Sequence, residues 1–335
     1  FLLVSLVMSS NDTQSDPEQS TMEMFLKRAL QNIWKDCNSK RLARLRESCS
    51  TTLDLIKKHG VTAKQGDKEH TESIEKVLNK LIITLKLACE SRQAKTMSTA
   101  LDCLQKLMAY GYITTDIPDV ENPQSNLMEK VIEIIGASFD IQDDDVQIQI
   151  IKAFLTAVSS PVCQIHKRPL MNAIRACFNI YLISRNPVNQ MTAKATLSQM
   201  LNILFSRFET AATKAEETGN LPEPNSEILP EPDNTSDTEE ELQLPEDSNL
   251  DEETKEELSI AYVDCFLAFR ALCKLSMKEI TPGASLDSID MRRKLLALEL
   301  IQNVLDNAGP MLRKNEQFIT TVIKKYLFIS LLVNG

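Results

Sequence analysis

The sequence is poor in the residues and motifs on which most enzymes depend. Only 8 of the 335 residues are glycine and 5% are aromatic, while residues that favour helix are abundant. The chain has no glycine-rich phosphate loop, no Gly-x-Gly-x-x-Gly dinucleotide turn and no Gly-x-Ser-x-Gly nucleophile elbow. The sequence therefore predicts no catalytic, cofactor or metal site, and an enzyme ranks behind two binding functions.

Cysteine and histidine are arranged in a way that does not favour a metal centre. The 8 cysteines are scattered and form no Cys-x-x-Cys pair. Most fall on apolar helix faces, which predicts reduced core thiols in a cytosolic protein. The histidines have no ligand spacing to a cysteine, so zinc is not expected. His166 has no nucleophile nearby in the sequence, and we interpret it as a surface or cap residue.

The negative charge is concentrated in one segment. The net charge is −10, but residues 216–257 hold 17 acids and one base, which leaves a net +6 on the rest of the chain. Dense acids, five prolines and few large apolar groups predict that residues 216–253 are an acidic, disordered linker. Ser236, Thr238 and Ser248 precede acids there and are candidate phosphorylation sites for acid-directed kinases. The alternative is an unmodified tether.

Long apolar runs are also missing, so no membrane span is predicted. The apolar start, FLLVSLVMSS, is too short for a span and lacks the features of a signal peptide. We expect Met8 to be the natural start and residues 1–19 to form a disordered tail. The last apolar stripe reaches the end of the chain without a polar cap, and we interpret the chain as the front of a longer protein.

Apolar residues recur with a helical period outside these segments. Residues 171–208 show the pattern most clearly, as two amphipathic helices joined by an Asn-Pro turn; such a pair must stack on neighbours to bury its stripe. We predict no strands and the following helices: one with Ser20 as N-cap, then 40–58, 72–90, 94–110, 124–138, 143–158, 167–184, 188–215, 254–278, 287–307 and 311–333. The predicted fold class is all-α, an armadillo/HEAT-like α-solenoid of stacked antiparallel helix pairs. Its two helical domains would be 20–215 and 254–335.

Several runs resemble the large brefeldin-A-inhibited Arf guanine-nucleotide exchange factors. The runs that carry the resemblance are MFLKRAL (24–30), LDCLQKLMAYG (101–111), VQIQIIKA (146–153), the stretch 179–209 with TAKATL (192–197), FRALCKLSMK (269–278) and NAGP (307–310). Residues 20–215 are similar to that family's dimerisation and cyclophilin-binding (DCB) region. Residues 254–335 are similar to the start of the homology region upstream of its catalytic domain (HUS).

The resemblance implies a non-catalytic regulatory region of a cytoplasmic protein. It would form a homodimer, pack against the HUS region of the same chain and receive an activated Arf-like GTPase, which would recruit it to trans-Golgi membranes in vesicle trafficking. A cyclophilin is a further implied partner, contact with the membrane would be indirect, and nucleic acid is not expected as a partner. The alternative is a HEAT-type scaffold or transport adaptor without an exchange domain.

Two motifs of that family have no counterpart in the sequence. The glutamate finger of its exchange domain lies in Phe-Arg-Leu-Pro-Gly-Glu, whereas Pro282-Gly283 is followed by Ala284. The box Asn-Tyr-Asp-Cys-Asp of its HUS region is absent as well. Val263-Asp264-Cys265 echoes this box but fits a helix face.

Candidate protein-binding residues lie on a polar helix side and on the Asn-Pro turn. GTPase switch regions offer a small apolar patch ringed by polar groups, and such patches bind helix faces. The hypothesised contacts are Asp102, Gln105, Lys106, Tyr110, Asn186, Asn189 and Gln190. We expect the helix and the turn to lie near each other if the stack is regular, and the corner at His166–Pro169 is the second candidate.

Overall fold

The computed structural model describes residues 17–61, 68–122, 124–217 and 252–319, apart from 279, 281–284, 286 and 316–317. Within these residues the structure is helical, with one isolated β-bridge between Pro118 and Asn126 and no strand. The predicted all-α class is therefore confirmed, with helices packed in contacting pairs as in an α-solenoid. Apart from a few residues in helix ends, the predicted tail and linker lie outside the described residues.

The described residues form eleven α-helices. They are α1 Pro17–Asp36, α2 Ala43–His59, α3 Lys68–Glu90, α4 Ala94–Ala109, α5 Leu127–Gly136, α6 Asp144–Ser159, α7 Lys167–Ile183, α8 Pro187–Glu217, α9 Glu252–Ser276, α10 Ile289–Asp306 and α11 Pro310–Lys314. A 3-10 turn, Lys40–Leu42, precedes α2. Except for the last helix, the bounds lie within about four residues of those predicted from hydrophobic periodicity.

Two predicted helix limits need correction. Helix α1 begins at Pro17, so Ser20 lies inside the helix and is not its N-cap. Proline favours the first helical position, because the N–H that it lacks would have no partner there. The predicted helix 311–333 is interrupted at Asn315, whose backbone is extended and whose side chain accepts the N–H of Phe318 at 2.8 Å. Residues 320–333 lie outside the described residues.

The chain divides into two compact units, 1–103 and 104–335, with the boundary inside α4. This division differs from the predicted one at the acidic linker, because α9, α10 and α11 pack on α7 and α8. None of the described helices is long and apolar enough to cross a membrane.

In unit 1, α2 packs against both α1 and α3. Buried hydroxyls lie between α2 and α3: Thr84 Oγ1 is 2.7 Å from Ser48 Oγ and 2.8 Å from Thr52 Oγ1. Trp34 of α1 is 37% exposed. The guanidinium of Arg46 lies 4.2 Å from the centroid of its ring, so a cation–π contact covers the indole.

In unit 2, the 31-residue helix α8 contacts α6, α7, α9, α10 and α11. An aromatic cluster joins α8 to the helices that follow the linker, with the rings of Phe205 and Phe269 at 6.2 and 5.8 Å from that of Phe318. Tyr262 lies 6.2 Å from Phe208, and burial raises the pKa of this phenol to about 12. The cluster is an apolar core shared by both sides of the predicted linker.

All eight cysteines are buried, as predicted. Burial raises the pKa of Cys49, Cys177 and Cys273 to about 12. Since the thiolate is the reactive and metal-binding form, these side chains act as small apolar core groups.

Four of the described helices carry a capping side chain directly before them; one is Asn186, which precedes α8 and accepts the N–H of Val188 at 2.9 Å. Asn126, Asp143 and Ser288 precede α5, α6 and α10, and each accepts a hydrogen bond from a backbone N–H of the first turn. Helices α7 and α11 follow His166 and Gly309, neither of which supplies a side-chain cap. The N–H groups in the first turns of α7 and α11 need acceptors from elsewhere.

A buried lysine holds the connection between α4 and α5. The side chain of Lys130 is 7% exposed, and its ammonium lies 2.7 Å from Asp119 and 2.8 Å from Glu121. Burial by itself lowers the pKa of Lys130, but the hydrogen bonds and charges of both carboxylates outweigh it, so the pKa is raised. Asp119 is also buried, so Lys130 neutralises a carboxylate that has little access to water.

We predict that Lys130→Met destabilises the chain by about 3–5 kcal/mol, because it leaves the buried Asp119 carboxylate without its cation. Lys314→Ala is the control: it breaks an exposed pair with Glu216 and should cost about 1 kcal/mol or less. Urea unfolding followed by circular dichroism measures both. Equal losses in the two variants would contradict a stabilising role for the buried pair.

Candidate protein-interaction site

An exposed apolar pair lies where α4 ends. Tyr110, directly after α4, is 65% exposed, and Val162, in the loop between α6 and α7, is 44% exposed. A Cβ placed on Gly111 would lie 3.9 Å from Val162 Cγ1, so the valine side chain lies against the backbone beside Tyr110. Gly111 has φ +69°, the left-handed conformation that glycine adopts readily at a helix end.

Polar side chains border this pair. Lys106 lies one turn before Tyr110 on α4 and is half-buried. The neighbouring Gln105 donates from Nε2 to Thr156 Oγ1 of α6 at 2.9 Å. We name Gln105, Lys106, Tyr110 and Val162 the Tyr110 corner. The structure thus brings three predicted residues together and adds Val162, whose exposure in a loop has no periodic signal in the sequence.

The other predicted group lies on the turn between α7 and α8. Asn186 donates to the Asp144 carboxylate at 2.8 Å, and Gln190 donates to the carbonyl of Ser184 at 2.6 Å. Asn189 is 3% exposed and donates to the backbone carbonyl of Asp144 at 2.9 Å. Asn186 and Asn189 fasten the turn to the start of α6, Gln190 closes the turn on itself, and burial removes Asn189 from any exposed surface.

The helix and the turn are not neighbours. Gln105 contacts α6 at Thr156, whereas Asn186 and Asn189 contact it at Asp144. Twelve residues of helix separate these positions, which is about 18 Å at 1.5 Å per residue. The expected proximity is therefore not found. Asp102, which is half-buried, lies in the part of α4 that belongs to unit 1.

A second polar site lies at the start of α7. Asp264 of α9 is 5% exposed, and its carboxylate accepts the backbone N–H of Lys167 and Nδ1–H of His166, both at 2.7 Å. Asp264 thus supplies the N-cap that α7 lacks, and its negative charge lies at the positive end of the helix dipole. The interpretation of His166 as a cap residue is close to this geometry, but the capping carboxylate comes from 98 residues downstream.

The other end of α7 is capped by a cation. Arg292 of α10 donates to the carbonyls of Tyr181 at 2.9 Å and Leu182 at 3.3 Å. Its guanidinium also lies 5.3 Å from the centroid of the Tyr181 ring. A positive charge at the carbonyl end of a helix is favourable, so both ends of α7 are complemented by residues from beyond the linker.

In a third cap, a residue that precedes the linker caps a helix that follows it. Glu209 of α8 accepts the backbone N–H groups of Met311 at 3.0 Å and Leu312 at 2.8 Å, in the first turn of α11. A Cβ on Gly309 would overlap the carboxyl group of Glu209, so only glycine leaves room for the carboxylate in this position. We name Asp264, Arg292 and Glu209 the junction caps.

Two protein-family models match the chain. Residues 18–212 match the dimerisation and cyclophilin-binding domain described as Mon2/Sec7/BIG1-like, and residues 261–335 match the HUS domain of the same description. The chain belongs to this family. The first matched segment, the DCB region, contains α7 and α8, and the second, the HUS region, contains Asp264, α10 and α11.

Named relatives agree with the family models. The chain is 30% identical to Brefeldin A-inhibited guanine nucleotide-exchange protein 1 of Rattus norvegicus, over 95% of this chain and 26% of that protein. It is 43% identical to the Bos taurus protein of the same name over 58% of this chain and 11% of that protein. It is 28% identical to the ADP-ribosylation factor guanine nucleotide-exchange factor sec71 of Schizosaccharomyces pombe, over 88% of this chain and 17% of that protein. The chain thus spans about a quarter or less of the length of these relatives.

The junction caps join the two regions of the family. Asp264 and Arg292, from the HUS region, complement both ends of a DCB helix, and Glu209, from the DCB region, complements a HUS helix. In the sequence these three residues are two acids and one base among many, with no pattern that marks them. The candidate phosphorylation sites Ser236, Thr238 and Ser248 lie outside the described residues.

We predict that Gly309→Ala destabilises the chain by about 1–2 kcal/mol, because the new methyl group displaces the Glu209 carboxylate from the first turn of α11. Gly136→Ala is the matched control, since its Cβ would make only an ordinary contact of 4.0 Å with Phe154. That change inside α5 should leave stability unchanged or raise it by up to about 1 kcal/mol. Denaturant titration of both variants measures the difference, and a Gly309→Ala variant as stable as the wild type would argue against a stabilising cap.

Proposed function

We propose that the chain is the regulatory, non-catalytic DCB–HUS part of an Arf guanine-nucleotide exchange factor and that it captures an activated Arf-like GTPase at the Tyr110 corner. Family membership supports the first half, because named relatives are guanine nucleotide-exchange proteins. The single observation that supports the second half is the exposure of Tyr110 and of Val162, which lies beside Gly111, with Lys106 one turn before Tyr110.

The chemistry of the corner suits a protein partner such as the proposed GTPase. Exposed tyrosine at the centre of a small patch is a frequent anchor in protein interfaces, and a polar rim excludes water around it. Lys106 supplies a cation at i−4 from Tyr110, and Gln105 is already oriented by Thr156. Asn186 and Gln190, at the other end of α6, would belong to a separate contact, such as that with a second protomer.

Recruitment and assembly follow from the same proposal. Capture of a membrane-anchored GTPase would hold a cytoplasmic protein on trans-Golgi membranes, where a downstream exchange domain would load Arf with GTP for vesicle budding. The homodimer and the cyclophilin contact rest on the name of the matched domain. The alternative, a HEAT-type scaffold or transport adaptor, would bind its partner without regard to nucleotide state.

We predict that Lys106→Asp abolishes capture of a GTP-locked Arf-like GTPase, because it reverses the charge at the rim of the patch, and that Tyr110→Ala weakens capture by about tenfold or more. The measurement is a pull-down with GTP-locked and GDP-locked forms, supported by titration calorimetry. Lys274→Asp, a charge reversal at an exposed position on α9, is the control. Lys106→Asp and Tyr110→Ala should each keep the free energy of unfolding within about 0.5 kcal/mol of the wild type. Unchanged capture by both corner variants would exclude the Tyr110 corner as the GTPase-binding site and leave the corner at His166–Pro169 as the second candidate.

We also predict that this chain alone does not accelerate nucleotide release from any Arf GTPase. The sequence contains no match to the glutamate-finger motif, and we assign no other residue to the displacement of magnesium or phosphate. Release of a fluorescent nucleotide from Arf, with and without the chain, measures the rate. Acceleration well above background would refute the non-catalytic assignment.

A further inference from the structure

The loop between α6 and α7 connects the Tyr110 corner to the junction caps. It carries Val162 of the corner, and four residues later it reaches His166, which contacts Asp264. Cys163, next to Val162, is fully buried and its thiol lies 3.7 Å from the carbonyl of Met108 in α4. The position of Val162 therefore depends on how this loop is held against α4.

The backbone of the loop is in an unfavourable conformation. Gln164 of the loop and Lys167, the first residue of α7, have φ of +34° and +47°, in the left-handed region that non-glycine residues seldom adopt. Such conformations persist only when the surrounding structure imposes them. At the second of these positions, Asp264 binds the backbone N–H of Lys167 and the ring of His166 through its two carboxylate oxygens.

The start of the loop is held from within the DCB region. Arg207 of α8 donates to the carbonyl of Val158, in the last turn of α6, at 2.6 Å. The end of the loop is held from the HUS region, because Asp264 binds His166 and the backbone N–H of Lys167. Asp264 thus holds one end of a DCB loop that bears part of the corner.

We propose that Asp264 is a positioning residue through which docking of the HUS region orders the α6–α7 loop and raises the affinity of the Tyr110 corner for its GTPase. This regulation rests on the proposed function. Because coupling between two sites is reciprocal, GTPase bound at the corner strengthens the docking of the HUS region by the same factor. A conformation of the protein that releases the HUS region then also binds its GTPase more weakly.

The test compares two junction variants in the full chain. Asp264→Asn removes the charge of the cap that holds the loop. Glu209→Gln removes the charge of a cap between the same two regions that contacts α11 and not the loop. The readouts are hydrogen exchange at the backbone amides of 162–168 and titration with an Arf-like GTPase locked in its GTP form.

Asp264→Asn is expected to accelerate exchange in the loop by about tenfold or more and to weaken GTPase binding by about fivefold or more. Glu209→Gln is expected to leave both close to wild type. His166→Gln replaces Asp264→Asn in the test if the latter variant does not fold. It keeps the hydrogen bond from Lys167 to Asp264, so it should give a smaller rise in loop exchange and a smaller loss of GTPase affinity.

Loop exchange that does not respond to Asp264→Asn would overturn the positioning role. A loosened loop with unchanged GTPase affinity, or equal weakening by Glu209→Gln, would overturn the regulation. A wild-type chain that binds the GTPase in neither nucleotide state would contradict the proposed function and the regulation with it, while the exchange data would still decide the role of Asp264.

Discussion

The helix ends of α7 impose the constraint on which the packing of unit 2 depends. The first N–H groups and last carbonyls of any helix lack partners within it, and buried groups of this kind must find them elsewhere. For α7 the partners lie 97 to 111 residues downstream, in Asp264 and Arg292. Helices α5, α6 and α10 need no such help, because each has a capping side chain in its own sequence.

Apolar burial and polar caps have different roles at this junction. The cluster around Phe318 removes large aromatic surfaces from water, which is the main source of stability but has little directionality. A buried carboxylate such as Asp264 is costly unless it is hydrogen-bonded and neutralised. His166 and the backbone N–H of Lys167 hydrogen-bond this carboxylate in one arrangement of the helices, so the caps fix how the DCB and HUS regions dock.

This dependence explains why the DCB region is not a self-contained half of the chain. Helices α7 and α8 lie before the acidic segment, yet they share their core and their caps with α9, α10 and α11. The surface proposed for the GTPase includes a loop whose far end is held by the HUS region. Binding at one surface and docking at the other can therefore be coupled through short covalent and hydrogen-bonded connections.

The sequence by itself determined the all-α class, most helix limits and the burial of most cysteines, because these follow from the 3.6-residue period of apolar side chains. It also grouped Gln105, Lys106 and Tyr110, which are neighbours on one helix. Local signals misled where a side chain competes with the helix, as Asn315 does when it caps Phe318. Only the tertiary structure shows that Val162 lies beside Tyr110, that the Asn186 turn lies at the far end of α6 and that Asp264 binds the start of α7. Those contacts join residues 42 to 98 positions apart, and their geometry is set by how helices pack rather than by any local pattern.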